Sequence, residues 1–268
     1  MSRPRYSVLI TSAFASVFLL MCSFTPGEPN STSADTIEPP LVVQHPVLVE
    51  LFTSQGCSSC PPADRVLQTL NEEASQGELP VITLSYHVDY WNRLGWRDPY
   101  SQATFSDRQR NYAQHLNDRG VYTPQAVVNG RSGHIGSRER ELRNAVLEAS
   151  RNASQVTIEA EAVRSAAGTL AINYQLSNVP EDALLQLAVV EGAVANEVPR
   201  GENRGRHLTH TNVVRMLSSV EDIKTSGQTT ITLGKELTAI SAEDLHLVLF
   251  VQRKDNMRVL GLQQVALQ

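Results

Sequence analysis

Cysteine is scarce in this chain, with three in 268 residues. That excludes a disulfide-stapled scaffold, which needs more cysteines at longer spacings. Positive charge is not in excess either. The formal net charge of −5 gives no basic surface for a nucleic-acid backbone, so nucleic acid is not an expected partner. No second cysteine pair and no spaced histidine pair accompanies the one Cys-x-x-Cys, so a structural zinc site and a resident metal are not expected. No internal repeat is present.

What the chain does have is Cys57-Ser58-Ser59-Cys60 at a change of pattern. Val47-Leu48-Val49-Glu50-Leu51-Phe52 before it reads as a strand, and Thr53-Ser54-Gln55-Gly56 as a turn. Pro61-Pro62-Ala63-Asp64 opens a helix, with apolar residues at 63, 66, 67 and 70. Two thiols at a strand-to-helix junction read as a dithiol redox site. The thiolate is the nucleophile, and a free cysteine has a pKa of about 8.5. A helix N-terminus favours the anion, so Cys57 is expected to be the accessible nucleophile and Cys60 the resolving thiol. The pair also admits a plainer reading as a short structural clip.

The N-terminus reads as a targeting segment. Arg3 and Arg5 precede an apolar stretch from Ser7 to Phe24. Residues 1–25 are therefore expected to be a signal peptide or an N-terminal membrane anchor, and 26–43 a disordered linker rich in Pro, Ser and Thr. The protein is expected to be exported: periplasmic, secreted or membrane-anchored. Leu19-Leu20-Met21-Cys22 resembles a bacterial lipobox, with Met21 where a small residue is usual, so lipidation at Cys22 is a further alternative.

Two textures follow. Residues 44–152 alternate strand and helix patterns, which argues α/β. From residue 153 the pattern is period two, in six or seven short strands, which predicts a β-sandwich-like domain over 153–268. Glu191 to Arg215 reads as a long interrupting loop, with Arg200, Arg204, Arg206, His207, His210 and Arg215 crowded into it. Docking of this loop on the first region, with Arg204 and Arg206 stabilising the Cys57 thiolate, is one expectation; a solvated charge run is the other. His207 and His210 lack carboxylate or thiol company in sequence for binding a metal. His87 and Asp89, followed by Tyr90, Trp91 and Trp96, fall after the second strand. There they either flank Cys57 as proton-transfer groups or form a packed loop with two anchoring indoles.

The order strand, Cys57-x-x-Cys60, helix, and later Tyr122-Thr123-Pro124-Gln125, resembles the thioredoxin superfamily. The resemblance implies an α/β thioredoxin-like domain followed by an all-β domain. It also implies a cis-proline loop at Thr123-Pro124 facing the dithiol. More narrowly, four runs resemble a bacterial family of secreted thioredoxin-like proteins catalogued as domain of unknown function 1223: Val49 to Asp64, His87 to Asn92, Tyr122 to Gln125, and Glu202 to Arg206. Thioredoxin's buried acid falls where this chain has Leu51. Glu50, one place earlier, is a proton acceptor for Cys60 only if the strand is bulged.

The leading functional expectation is an exported thiol–disulfide oxidoreductase acting on protein thiols or disulfides, with Cys57, Cys60, Thr123 and Pro124 at its centre, an unassigned redox partner and no cofactor. The two serines favour an oxidising disulfide. The alternatives are a non-catalytic partner-binding protein with a structural disulfide, and copper handling with Cys57, Cys60 and His87 as soft ligands.

Overall fold

The computed structural model describes residues 44–268. The targeting segment, the linker and Cys22 lie outside the described residues. Among those described, no helix is long and apolar enough to cross a membrane.

The chain order is β1 (Val47–Thr53), α1 (Pro61–Ser75), β2 (Val81–His87), α2 (Ala103–His115), β3 (Gln125–Val128), β4 (Ser132–Ile135) and α3 (Glu139–Ser150). There follow β5 (Thr157–Arg164), β6 (Thr169–Ser177), β7 (Ala183–Val198), β8 (Arg206–Val220), β9 (Ser226–Thr232), β10 (Leu245–Arg253) and β11 (Val259–Ala266). Most of these elements sit where the sequence pattern puts them. The arrangement differs from the expectation.

An α/β domain followed by a separate all-β domain is not what forms. Eight strands join in one mixed sheet, in the order β11-β10-β7-β8-β2-β1-β3-β4. The join is a parallel contact between β2 and β8, at Ser85 and Val213. Only β5, β6 and β9 form a second sheet. It packs Ile158, Leu170, Ile172 and Ile231 against Leu185, Leu187, Leu247 and Leu249 of the large sheet.

Burial explains the joint sheet. β1 is buried along its whole length, which suits its nearly unbroken apolar run. Val47, Val49 and Leu51 meet α1 and α3 on one face. Leu48 and Phe52 share the other face with Phe105 and Tyr112 of α2, and that same core continues into Ala188, Val248 and Phe250 of the C-terminal strands. A polar tie crosses it. Arg108 donates from Nε to Glu50 Oε1 at 2.7 Å and from Nη1 to Gln252 Oε1 at 3.2 Å. Tyr112 also donates its hydroxyl to Glu50. The β3–β4 turn adds a close backbone approach: a Cβ on Gly130, at φ +64°, would lie 2.0 Å from the Met257 carbonyl oxygen.

The expected Glu191–Arg215 loop is also corrected. Its two ends are strand, in a long β7–β8 hairpin whose connection spans only residues 199–205. The buried residues of β8 are Leu208, His210, Asn212, Val213 and Val214, so two polar side chains interrupt the apolar alternation in its first half. Asn212 is satisfied there by Asn71 Oδ1 at 2.8 Å and Thr83 Oγ1 at 2.9 Å.

Candidate functional site

The chain leaves β1 through a tight turn. Cys57 N donates to Ser54 O at 3.1 Å, and Cys60 N to Cys57 O at 3.2 Å. Gly56 is needed where it stands, because a Cβ there would meet Trp91 Cβ at 3.0 Å. Cys60 is the N-cap of α1, and the two prolines that follow occupy first-turn positions that lack helical partners anyway. Cys57 and Cys60 are joined in a disulfide with a Cα–Cα distance of 5.4 Å.

Two hydroxyls touch Cys57 Sγ, Ser59 Oγ and Thr123 Oγ1, each at 3.4 Å. The direction at Thr123 is determined. Trp91 Nε1 donates to Thr123 Oγ1 at 2.8 Å, and an indole N–H cannot accept, so the Thr123 proton is left to point at the sulfur. The Thr123–Pro124 peptide is cis. Its loop is tied down by Gln109, which donates to Tyr122 O at 2.7 Å and to Gln125 Oε1 at 2.9 Å.

Accessibility departs from the expectation. Both cysteines are 0 % exposed, while Ser58 and Ser59 face solvent. The β7–β8 tip lies against the turn that carries them. Asn203, itself buried, donates from Nδ2 to Gln55 O at 2.9 Å and to Cys57 O at 2.8 Å. Glu202 accepts from Ser58 N at 3.1 Å. The tip therefore docks beside the disulfide through an amide and a carboxylate. Arg204 and Arg206 are exposed and form no ion pair among the described residues.

The remaining expected residues divide. Glu50 lies on the α2 face of β1, opposite the face that meets α1, paired with Arg108. Asp89 is tied to α2: it accepts from Ser106 Oγ at 2.6 Å, and its backbone N–H donates to the same hydroxyl oxygen at 3.0 Å. His87 is fully buried, with Nδ1 2.7 Å from Asp98 Oδ2. Among the described residues no group of three or more His, Cys, Asp and Glu side chains is gathered as for a metal, so Cys57, Cys60 and His87 do not form such a set. Trp96 does more than pack: its Nε1 donates to Gln55 Oε1 at 3.1 Å.

Four residues at the site escaped the sequence reading: Gln55, Asp64, Asp98 and Asn203. Asp64 and Asn203 lie inside the runs that carried the family resemblance. Asp98 has no local signal. Burial acts to raise its pKa, but His87 beside it and the N–H groups of Gln55 and Tyr100 outweigh that and hold its carboxyl below the ordinary value. His210, expected in a loop, instead faces Asp64 from β8, with Nδ1 3.6 Å from Asp64 Oδ2.

The disulfide joins the turn after β1 to the start of α1, and a hairpin from the far half of the mixed sheet is hydrogen-bonded to that turn. The chain belongs to the family described as protein of unknown function DUF1223, whose pattern matches residues 48–252. Among solved structures it is similar to protein AGR_C_4864 from Agrobacterium tumefaciens, with 26% identity, a TM-score of 0.61, and coverage of 82% of this chain and 94% of that one. It also shares its fold with HBP35 of Porphyromonas gingivalis, with 16% identity, a TM-score of 0.56, and coverage of 84% and 76%. No curated protein matches.

Proposed function

We propose that the protein is an exported thiol–disulfide oxidoreductase in which Cys57 exchanges with protein thiols or disulfides and Cys60 resolves the mixed disulfide. The observation that carries this reading is the setting of Cys57 Sγ. It stands ahead of the α1 N-terminus with two hydroxyls at 3.4 Å, one of them with its proton turned toward the sulfur by Trp91. Such donors stabilise a thiolate more than a thiol. Neither hydroxyl is required to hold a simple clip together. Export is supported by Arg3, Arg5 and the apolar Ser7–Phe24 stretch, and an oxidising compartment suits the chemistry.

Full burial of both cysteines favours a second reading, a partner-binding protein with a structural disulfide. A redox titration of the mature protein with thiol trapping separates the two. Exchange predicts a potential well above about −300 mV, and a structural bridge one below it.

A further inference from the structure

Next to the dithiol turn, two carboxylate–imidazole couples are buried side by side. In one, Asp98 Oδ2 accepts from His87 Nδ1 at 2.7 Å and from Gln55 N at 2.8 Å. In the other, Asp64 Oδ2 faces His210 Nδ1 at 3.6 Å, with the two side chains 5% and 1% exposed. The imidazole rings meet edge to face at 4.5 Å. Asp64 Oδ2, His210 Nδ1 and His87 Nε2 are buried and have no hydrogen-bond partner. Buried polar atoms are rarely left so without a reason.

The tautomer of His210 follows from its neighbours. Trp96 Nε1 faces one end of the Gln55 amide at 3.1 Å, and an indole only donates, so that end is the oxygen. The amide nitrogen then points to His210 Nε2 at 3.2 Å, which must accept. Neutral His210 therefore carries its proton on Nδ1, aimed at Asp64. Asp64 Oδ1 is already occupied by the Thr53 hydroxyl at 2.9 Å, which leaves Oδ2 for the imidazole.

Asp64 follows Cys60 by four residues in α1, and its backbone N–H donates to Cys60 O at 3.1 Å. Residues so spaced share a helix face. Cys60 is fully buried, so a thiolate released there has no water to protonate it and is costly if left charged.

We propose that the Asp64–His210 couple is the proton relay for Cys60. This deepens the exchange reading and rests on it. An external dithiol attacks through its thiolate, forming a bond to Cys57 Sγ. The Cys57–Cys60 bond breaks and its electron pair goes to Cys60 Sγ, which takes one proton from the couple in its doubly protonated state, leaving the single proton on His210 Nδ1. The second thiol of the reductant then displaces Cys57, which leaves with the electron pair, and the reductant becomes a disulfide. In reverse the couple removes the Cys60 proton, so that the thiolate can attack the mixed disulfide at Cys57. The groups facing His210 are Asp64 from α1, His87 from β2, Asp98 and Tyr100 from the segment after β2, and the Gln55 amide. Tyr100 in turn carries the Arg215 guanidinium over its ring at 5.2 Å.

The test has two arms. In the Cys57→Ser background Cys60 is the lone thiol of the dithiol site, and its alkylation is followed against pH with and without His210→Gln or Asp64→Asn. The relay predicts that either change shifts the Cys60 alkylation profile by about one pKa unit, about tenfold in rate near neutral pH, with faster alkylation for Asp64→Asn because it removes a like charge beside the thiolate. Folded variants with unchanged alkylation profiles overturn the proposal. The second arm needs no relay variant: the His210 imidazole is titrated by NMR in the oxidised and reduced wild-type protein. Different titrations support the relay, and identical ones overturn it. Both readouts concern Cys60 itself. A disulfide too stable to be an exchange catalyst would defeat the exchange reading while leaving these results separately legible.

Discussion

Asn203 Nδ2 donates to the Cys57 carbonyl at 2.8 Å across 146 residues of chain. One amide nitrogen from the β7–β8 tip thus holds two consecutive bends of the dithiol turn, at Gln55 and at Cys57. The turn that carries the disulfide is held by a part of the molecule that the Cys-x-x-Cys pattern gives no hint of.

Asn203→Ala is therefore expected to open the site. It strands two carbonyls and frees the β7–β8 tip from the dithiol turn, at a cost to stability of about 1–3 kcal/mol. Reduction of the disulfide by glutathione should become several-fold faster. Stopped-flow reduction beside urea unfolding checks both quantities. A loss of stability with an unchanged reduction rate would mean that Asn203 does not govern access to the disulfide.

In the reduced protein Cys57 should be the more acidic thiol, since both site hydroxyls face its sulfur. Hydrogen bonds to a charged group contribute about 1.5–3 kcal/mol. Thr123→Val should then raise the Cys57 pKa by about one unit or more. Alkylation at mildly acidic pH, with the labelled cysteine located by mass spectrometry, reads this directly. First labelling at Cys60 would reverse the assignment.

The Glu50–Arg108 pair is expected to serve the fold. Burial alone would lower the Arg108 pKa, but Glu50 beside it and the two tyrosines reverse this, and its charge is firmly held. Arg108→Met leaves Glu50 buried and unpaired, which should cost about 3–5 kcal/mol. Adding Glu50→Gln should restore part of that loss, because the two sites couple. Exchange kinetics of the folded fraction should not change in either variant. A selective loss of Cys60 reactivity in Glu50→Gln would return Glu50 to the redox site.

His246, at the start of β10, is held by burial at a pKa of about 4, against an ordinary 6.5. The unfolded chain takes up this proton as pH falls through 6.5, while the folded protein refuses it until about pH 4. Stability is thus present above pH 6.5 and is lost as the pH falls from there to about 4, by at most roughly 3 kcal/mol. His246→Phe should flatten that part of the profile. Urea unfolding at intervals between pH 4 and 7 measures it, and parallel profiles for the two proteins would refute it.

Short-range signals were enough to place the local elements and the cysteine pair. The unbroken apolar run of Val47–Phe52, the helical spacing after Pro61 and the two cysteines between them are signals that short-range preferences can carry. The sequence also placed the runs around Asp64 and Asn203 that mark the family. That the two textures of the chain share one sheet depends on long-range contacts. The β2–β8 contact joins residues far apart in sequence, and the strand that makes it buries His210 and Asn212 beside Leu208, Val213 and Val214. Those polar residues are inward because Asp64, Asn71 and Thr83 await them. A strand whose buried residues mix hydrogen-bonding partners with apolar side chains blurs the alternation by which strands are read, so the element that reaches the site was the one its sequence disguised.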